Sequence, residues 1–327
     1  MTWTPDAPRY RLLDGPSPLH RLPRFSAALD PDGGIDVWVK REDLLPLGLG
    51  GNKLRNLEFH VGAALAAGAD TLVTSGRRWS NHCRLTAAAG AKAGLAVHLV
   101  LTGPPGAVPG ANERLDGLLG AGVHVTASAE RSERAALVER IASDLRRSGG
   151  RPYVIEVGGS DPIGAIGQVL AGIELATQVA ELGLDPGMVI LPTATGGTQA
   201  GLLVGMATAD LRASVVGVAV AHPAAEVRRG VDRLVADLAA TVGVPRASIG
   251  TVTLVDPARP TGYGRADPSA ESATALLART EGIFVDPIYT AKALAWLIEE
   301  ASAGRVRGTV VFWHAGGLPG LFETLER

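Results

Sequence analysis

The first candidate for chemistry is a lysine that directly follows a run of glycines. Gly48, Gly50 and Gly51 precede Lys53 and a helix predicted over residues 52–67. Glycines before a helix let the backbone approach a ligand closely, and a lysine there can reach that ligand. The spacing excludes a nucleotide-binding P-loop, which needs serine or threonine after the lysine where this chain has Leu54. Taken alone, the segment is better explained as a turn and a helix start.

A second glycine-rich segment offers a phosphate site. Gly196 and Gly197 stand between Thr195 and Thr198, after an apolar strand predicted over Met188–Leu191. Backbone N–H groups and the two hydroxyls could hold a phosphate at the positive end of the following helix. An ordinary turn with a threonine cap is the alternative. Together the two segments favour pyridoxal phosphate, because its aldehyde forms an imine with a lysine and its phosphate anchors the ring.

Short β-branched segments alternate with longer helical patterns along most of the chain, which predicts an α/β fold with mostly parallel sheets covered on both faces. The helix after Lys53 carries one apolar stripe of Leu54, Leu57, Val61 and Leu65. Its polar residues lie off that stripe: Arg55, Asn56, Glu58 and His60. Strands are predicted at 35–40, 71–74, 97–101, 123–126, 153–157, 188–191, 215–220, 251–255 and 309–313. Helices are predicted at 52–67, 81–93, 112–119, 130–147, 163–182, 198–209, 224–241, 269–280 and 290–303.

Composition and charge narrow the class of protein. The chain has 327 residues, 46% hydrophobic and 20% charged, so it can bury a large core. A net charge of −2 gives no basic surface for nucleic acid or an anionic membrane. One cysteine, Cys83, excludes an intramolecular disulfide, and the N-terminus lacks an apolar signal segment. No run approaches the roughly 20 apolar residues that span a bilayer, and the histidines lack metal-ligand spacing. We therefore expect a cytoplasmic protein without a metal.

Seven motifs follow one another along the chain: Val39 to Asp43, Gly50 to Arg55, Ser80 to Arg84, Thr195 to Gly201, Gly262 to Gly264, Asp286 to Lys292 and His314 to Gly317. This ordered series resembles one enzyme family, that of D-cysteine desulfhydrase and 1-aminocyclopropane-1-carboxylate deaminase. The family belongs to fold type II of the pyridoxal-phosphate enzymes, the tryptophan synthase β superfamily. The resemblance implies two interlocked three-layer αβα domains with mostly parallel sheets, and a homodimer. We expect a large cofactor domain at residues 1–57 and 161–327 and a small α/β domain at 58–160.

The same resemblance assigns residues to the cofactor. Lys53 matches the lysine that carries pyridoxal phosphate as a Schiff base and also moves protons at the substrate's α-carbon. Thr195, Gly196, Gly197 and Thr198 would bind the phosphate. Asn81 would hydrogen-bond the 3′-oxygen of the pyridine ring, and Thr290 would face the ring nitrogen.

Other residues are assigned to the substrate by the resemblance. Ser80 and His82 would line the site of the substrate carboxylate, next to Asn81. Tyr289 would lie near the ring and the substrate, and Tyr263 would come from the loop that closes over the substrate. Ser80 and Tyr289 join Lys53 as expected catalytic residues.

Three departures from the family pattern bear on the substrate. Thr290 stands where the ring-opening deaminases carry a glutamate, and a neutral hydroxyl suits β-elimination, which needs a weaker electron sink. Arg77, Arg78 and Trp79 replace the usual residues before Ser80. Trp79 adjoins the expected carboxylate site, and we expect it to contact the substrate. An arginine there could recognise a further acidic group on the substrate; alternatively both arginines face solvent and Trp79 packs a loop. Asn56 replaces a lysine that relatives often carry.

The sequence thus predicts a pyridoxal-phosphate lyase or deaminase that acts on a small amino acid. α,β-Elimination in the manner of D-cysteine desulfhydrase, with release of a keto acid and ammonia, is the first interpretation. Other activities on small or acidic amino acids are alternatives: L-cysteate sulfo-lyase, ring-opening deaminase or β-replacement. A non-catalytic cofactor-binding homologue is the alternative of another class.

Overall fold

The computed structural model describes residues 3–103, 106–128, 130–259, 261–265 and 267–323. Strands and helices alternate along these residues, as the hydrophobic pattern predicts. In chain order they are β1 (Leu19–Arg21), α1 (Pro23–Leu29), β2 (Ile35–Arg41), α2 (Lys53–Ala66), β3 (Thr71–Arg77), α3 (Asn81–Ala93), β4 (Ala96–Thr102), α4 (Ala111–Leu118), β5 (Gly122–Thr126), α5 (Arg131–Arg147), β6 (Pro152–Val154), α6 (Pro162–Glu181), β7 (Met188–Thr193), α7 (Gly197–Thr208), β8 (Ser214–Ala219), α8 (Ala224–Val242), β9 (Thr253–Val255), α9 (Pro268–Glu281), α10 (Thr290–Ser302) and β10 (Gly308–His314).

The strands form two sheets. The larger sheet has the order β1-β2-β10-β7-β8-β9, and its pairs are parallel except that β1 runs antiparallel to β2. The smaller sheet has the order β5-β4-β3-β6 and is parallel throughout. Its strands lie between residues 71 and 154, inside the segment expected to form the small domain. The domain bounds themselves stay a prediction, and the one at residue 57 falls within α2.

Helices cover both faces of each sheet. On the larger sheet, α6, α7 and α8 share one apolar cluster with Val189 and Val311, while α1, α9 and α10 share another with Ile190 and Val310. These neighbouring strand residues point to opposite faces because side chains alternate along a strand. On the smaller sheet, α2 and α3 pack against one face and α5 against the other. Each sheet is therefore the middle layer of an αβα sandwich.

The polar residues that lie off the apolar stripe of α2 are buried. Arg55, Asn56, Glu58 and His60 are each at most 3% exposed, whereas Leu65 of the apolar stripe is 40% exposed. Hydrogen-bond partners from other elements offset the free-energy cost of burying these polar groups. For example, the carboxylate of Glu58 accepts the N–H groups of Leu12 and Leu13 at 2.9 and 3.1 Å. Helix periodicity marks the apolar stripe but cannot reveal polar residues that are buried with a partner.

The expectation that no segment is long and apolar enough to span a bilayer also needs correction. Among the described residues, Val157–Glu181 passes by length and composition, but 61% of its most apolar window is buried inside the protein. Its helix α6 packs tightly on α7: a Cβ added to Gly172 would lie 2.9 Å from the backbone nitrogen of Met206. The high hydropathy of α6 is explained by its packing against other helices inside the protein.

Smaller differences concern the ends of elements. β1 and α1 were not predicted, because three-residue strands and seven-residue helices carry little periodicity. The strand predicted over 153–157 ends at Val154, where the chain passes into a 3₁₀ turn at Val157–Gly159. Gly158 in this turn has a φ of 77°, a left-handed conformation that breaks an extended strand.

Candidate active site

A cavity of about 210 Å³ lies at the carboxyl ends of the parallel strands. It is lined by residues that follow β3, β7 and β8, and by the first residues of α2, α3, α7 and α10. Ligands of open α/β sheets bind at this edge, where the positive ends of helices converge. Eleven of the twelve residues predicted for the site line the cavity: Lys53, Ser80, Asn81, His82, Thr195, Gly196, Gly197, Thr198, Tyr263, Tyr289 and Thr290. Trp79 does not.

Lys53 is the first residue of α2 and reaches into the cavity. Its Nζ donates a hydrogen bond to the backbone oxygen of Gly158 at 2.9 Å and lies 3.5 Å from Ser160 Oγ. Burial disfavours the ammonium form and lowers the pKa of Lys53 to about 8. An amine with this pKa is partly neutral near physiological pH and can act as a nucleophile or a base.

The glycines before Lys53 are required by the path of the chain. Gly48, Gly50 and Gly51 all have left-handed φ values, between 57° and 129°. A Cβ on Gly50 would lie 2.0 Å from the backbone oxygen of Asp43, so no side chain fits there. This tight loop delivers Lys53 to the cavity at the point where α2 begins.

The segment Thr195–Thr198 forms the turn between β7 and α7. Gly196 has a φ of 88°, and a Cβ there would lie 2.5 Å from Val231 Cγ2. The hydroxyl of Thr195 is 2.6 Å from Ser160 Oγ, and that of Thr198 accepts a hydrogen bond from Asn52 Nδ2 at 2.9 Å. The hydroxyl proton of Thr198 is thus available for a ligand, next to the N–H groups of the first turn of α7.

Ser80, Asn81 and His82 form the start of α3. Ser80 is the cap of this helix, and its Oγ accepts the N–H of Cys83 at 3.3 Å. The side-chain oxygen of Asn81 is buried and has no hydrogen-bond partner among the described residues. Cys83 is fully buried in the core, and burial raises the pKa of its thiol to about 12. This supports a packing role for Cys83.

The hydrogen bonds of His82 fix which of its nitrogens carries the proton. Thr74 Oγ1 donates to the backbone oxygen of Ile155 at 2.8 Å, so it can only accept from His82 Nε2 at 2.9 Å. His82 Nδ1 therefore carries no proton, and it is buried without a partner among the described residues. Burial, followed by the charge of Lys53, lowers the pKa of His82 well below its usual range. His82 offers the cavity a hydrogen-bond acceptor and no positive charge.

Tyr289 and Thr290 enter the cavity at the start of α10. Asp286 holds this turn by accepting the N–H groups of Tyr289 and Thr290 at 2.8 and 3.0 Å. The hydroxyl of Thr290 donates to the backbone oxygen of Gly316 at 3.1 Å. The hydroxyl of Tyr289 is hydrogen-bonded to that of Tyr263, and burial raises the pKa of both phenols.

Trp79 supports Tyr263 from outside the cavity. The two rings meet edge to face, with centroids 5.8 Å apart. A Cβ on Gly264 would lie 2.4 Å from the Trp79 ring, so the tryptophan packs directly on the segment that carries Tyr263. Trp79 thus touches the site through Tyr263, and its predicted contact with substrate stays a proposal without support from the cavity lining.

The two arginines before Trp79 differ in their surroundings. Arg78 is buried, forms an ion pair with Glu113 and donates to the backbone oxygen of Ala107 at 3.0 Å. Arg77 is half-buried and lines the cavity. Arg78 is therefore not a surface residue, and the alternative in which both arginines face solvent is wrong.

Several residues in or beside the cavity were not predicted from the sequence. Gly158 and Ser160 contact Lys53, and Arg131, Arg134 and His222 line the cavity. The cluster Gly158–Pro162 is visible in the sequence as a turn, but nothing in its spacing connects it to a lysine about a hundred positions earlier. Arg131 and Arg134 lie on α5, in a charged segment typical of a solvated helix.

Known proteins are similar to this chain in sequence and in structure over nearly its full length. A relative in Klebsiella pneumoniae (strain 342), named D-cysteine desulfhydrase, is 37% identical over 322 residues, which cover 96% of this chain and 95% of the relative. A relative in Pyrococcus abyssi (strain GE5 / Orsay), provisionally named 1-aminocyclopropane-1-carboxylate deaminase, is 37% identical over 97% of this chain and 93% of its own length. The crystal structure of a homologue of that deaminase superposes with a TM-score of 0.89 at 34% identity, covering 97% and 94% of the two chains. The predicted fold type II is thereby confirmed.

Residues 10–316 match the sequence family described as Pyridoxal-phosphate dependent enzyme. This match spans nearly the whole chain and includes every residue that lines the cavity. The chain therefore belongs to the family of pyridoxal-phosphate-dependent enzymes, and its cofactor is pyridoxal phosphate.

Proposed function

We propose that this enzyme catalyses α,β-elimination from a small amino acid and releases a keto acid and ammonia, in the manner for which the D-cysteine desulfhydrase relatives are named. The observation that carries the proposal is the convergence on one cavity of Lys53, the Thr195–Thr198 turn and the start of α3. A reactive amine, a phosphate site and a carboxylate site are what a cofactor-bound amino acid requires.

The residues around the cavity fit pyridoxal phosphate. The N–H groups at the start of α7, with the hydroxyls of Thr195 and Thr198, suit a phosphate. The unpartnered side-chain oxygen of Asn81 is a buried polar atom that needs a ligand to complete its hydrogen bonds. The oxygen of this amide can accept from a ligand N–H or O–H group, and its Nδ2 can donate to the ring oxygen of the cofactor. Lys53 is the lysine in the cavity, and we propose it as the attachment point.

When bound, pyridoxal phosphate withdraws electrons from the α-carbon of the amino acid and so makes its proton acidic. Lys53 Nζ would take up that proton, since its lowered pKa of about 8 leaves part of the amine neutral. Gly158 and Ser160 would hold the same nitrogen in place. Proton transfer by a positioned group of this kind typically accelerates a reaction by about 10²–10⁴-fold.

We assign the substrate carboxylate to Ser80, Asn81 and the N–H groups of the first turn of α3. These groups are donors at the positive end of a helix, which suits an anion. His82 was expected to join them, but its available nitrogen is an acceptor. Its role would instead be to accept a hydrogen bond from a neighbouring donor such as the substrate's amino group. The hydroxyl pair of Tyr263 and Tyr289 would face the substrate from the opposite wall.

Thr290 supports elimination over ring opening. Its hydroxyl is neutral, and among the described residues no carboxylate lines the cavity to hold a ring nitrogen protonated. A site of this kind stabilises negative charge on the ring less strongly, which suffices when a leaving group departs from the β-carbon. To donate to an unprotonated ring nitrogen, the Thr290 hydroxyl would turn its proton from the backbone oxygen of Gly316 to the ring.

The proposal is tested by keto acid and ammonia release from the purified holoenzyme. The substrates are D-cysteine, L-cysteate, β-chloroalanine and 1-aminocyclopropane-1-carboxylate, and the controls are Lys53→Ala and the exposed Lys92→Ala. Turnover of at least one β-substituted amino acid by the native enzyme and Lys92→Ala, but not by Lys53→Ala, is expected. Turnover of the cyclopropane alone would favour the deaminase alternative. A holoenzyme that binds the cofactor and turns over none of the four would contradict the proposed activity.

We also propose that the enzyme is a cytoplasmic homodimer, on the strength of its resemblance to the family. Light scattering during gel filtration measures the mass directly. A mass of twice that of the chain is expected, and a monomer would contradict it.

A further inference from the structure

One part of the cavity wall is strongly cationic. It is formed by Arg77, Arg131 and Arg134, and we call it the outer cavity. Lys53 also lines the cavity, and no aspartate or glutamate does so in the part of the chain that the structure describes. Arg77 ends β3, and the other two arginines lie in the first turn of α5. All three therefore come from the side of the smaller sheet, which also carries Ser80, Asn81 and His82.

Among these three arginines, Arg134 gives the strongest evidence for a bound anion. Only 6% of its surface is exposed, and its Nε is buried without a hydrogen-bond partner among the described residues. Its Nη1 donates to Thr102 Oγ1 at 3.2 Å, and no described carboxylate lies within 4 Å of its guanidinium. Burial, with the nearby charges of Arg77 and Arg131, lowers the pKa of Arg134. A buried charge without a counter-ion is costly, and a bound anion would remove that cost.

A contact across the cavity mouth connects the cluster to the larger sheet. Arg131 Nη2 lies 3.0 Å from His222 Nε2, and His222 follows β8. Because a guanidinium only donates, His222 Nε2 must be the acceptor, which leaves the proton on Nδ1. Burial, with the charge of Arg131, lowers the pKa of His222. The neutral histidine thus adds another donor at the mouth and no negative charge.

The phosphate of the cofactor does not need these arginines. The turn at Thr195–Thr198 has its own donors, on the larger sheet. The α-carboxylate of the substrate likewise has donors at the start of α3. A further anion is therefore required to match the charge of the outer cavity.

We infer that Arg77, Arg131 and Arg134 bind a second anionic group of the substrate, an oxyanionic substituent on the β-carbon such as a sulfonate or a phosphate ester. Guanidinium groups bind such oxyanions in bidentate fashion. The inference rests on the proposed elimination and narrows its substrate: the leaving group would be sulfite or phosphate instead of sulfide.

The reaction balances without an oxidant or reductant. The α-proton passes to Lys53, a double bond forms between the α- and β-carbons, and the bond from the β-carbon to sulfur or ester oxygen breaks. The leaving group departs as sulfite or phosphate with that electron pair. Water then hydrolyses the released enamine to pyruvate and ammonium.

Binding tests the inference independently of turnover. 3-Sulfopropanoate carries a carboxylate and a sulfonate but no amino group, so it cannot react, and propanoate lacks the second anion. Calorimetry with the holoenzyme should find 3-sulfopropanoate bound at least about tenfold more tightly than propanoate, as expected for charge-assisted hydrogen bonds. Equal affinities would overturn the inference even if elimination from another amino acid is observed.

Variants then show whether the three arginines bind the substrate or the phosphate of the cofactor. Arg77→Gln and Arg134→Gln are each expected to raise KM for L-cysteate or O-phosphoserine by roughly 10- to 100-fold. Their KM for β-chloroalanine and their affinity for pyridoxal phosphate, titrated into the apoenzyme, should change less than about threefold. Arg140→Gln, on the exposed face of the same helix, is the matched control and should leave all three quantities unchanged.

Two results would overturn the inference and leave the elimination standing. One is a loss of cofactor affinity in Arg77→Gln and Arg134→Gln, which would assign the cluster to the cofactor's phosphate. The other is an equal loss for substrates with and without the second anion, which would assign the cluster a structural role. If Arg134→Gln does not fold, Arg77→Gln alone decides, because Arg77 is only half-buried.

Discussion

The side-chain nitrogen of Lys53 lies 2.9 Å from the backbone oxygen of Gly158, so the turn before α6 positions the amine at the start of α2. Gly158 also lies beside the phosphate turn, since a Cβ there would be 2.8 Å from Thr195 Oγ1. Its φ of 77° allows both contacts. One residue of this turn thus contacts the lysine and adjoins the proposed phosphate site.

The lowered pKa of Lys53 predicts how cofactor attachment depends on pH. With a pKa of about 8, about a tenth of the amine is neutral at pH 7, against roughly 0.03% for an ordinary lysine. The neutral amine is the form that attacks an aldehyde, so the attachment rate should rise with pH and level off above about 8. Stopped-flow absorbance of apoenzyme mixed with pyridoxal phosphate measures this rate, with a free lysine derivative as the reference for the cofactor's own titration. A rate that keeps rising to pH 10, as for the reference, would contradict the shift.

The hydroxyls of the phosphate turn should contribute to cofactor affinity. Thr195→Val and Thr198→Val each remove one donor and keep the shape of the side chain. Each should weaken pyridoxal-phosphate binding by roughly tenfold, as expected for one hydrogen bond to a charged group. Equilibrium titration of the apoenzyme measures the affinity. Thr208→Val at the far end of α7 is the control; an equal loss in this variant would show that the effect comes from the helix and not from the phosphate.

The hydroxyls of Tyr263 and Tyr289 should act as one unit, because they are hydrogen-bonded to each other. Tyr289→Phe is expected to lower kcat by roughly 10²-fold, in the range for loss of a positioned proton donor. The double variant with Tyr263→Phe should be little worse than Tyr289→Phe alone, because coupled residues do not contribute additively. Steady-state kinetics of the two single variants and the double variant give the coupling. Losses that simply multiply would show that the two tyrosines act separately.

The buried ion-pair network beneath the site should carry stability. Arg55 donates to Glu42 at 2.6 and 2.8 Å and to Glu174 at 2.9 Å, which connects α2 to α6 and to the end of β2. Arg55→Leu leaves the fully buried Glu42 without its partner and should cost about 3–5 kcal/mol of unfolding free energy. Urea denaturation of the apoenzyme measures this loss. Arg146→Leu removes an exposed ion pair with Glu139 and should cost less than about 1 kcal/mol; similar values for the two variants would contradict a special role of the network.

Features encoded by short local patterns were predicted well from the sequence. Lys53 after its glycines and Thr195–Thr198 after a strand are contiguous motifs, and the alternation of strands and helices follows from hydrophobic periodicity. The contacts of Gly158 and Ser160 with Lys53 are different, because more than a hundred residues separate them along the chain. They depend on how α6 packs beside α2, which no local pattern encodes.

Burial of charge was the main feature that the sequence could not reveal. Arg55 and Arg134 both lie in polar helical segments that are typical of a solvated face, yet both are buried. Arg55 is compensated by carboxylates from distant segments, whereas Arg134 has none within 4 Å among the described residues. This difference emerges only in three dimensions, and it separates a structural arginine from one that we assign to a ligand.

The central claim is that Lys53 carries the cofactor, and borohydride reduction of the holoenzyme tests it most directly. The chain has four lysines, Lys40, Lys53, Lys92 and Lys292. Reduction fixes pyridoxal phosphate to the lysine that holds it, and peptide mass spectrometry then locates the added mass. We predict that the pyridoxyl group is found on Lys53, and that Lys53→Ala loses both this modification and the visible absorption band of the bound cofactor. Modification of Lys40, Lys92 or Lys292 in the native enzyme would contradict the account.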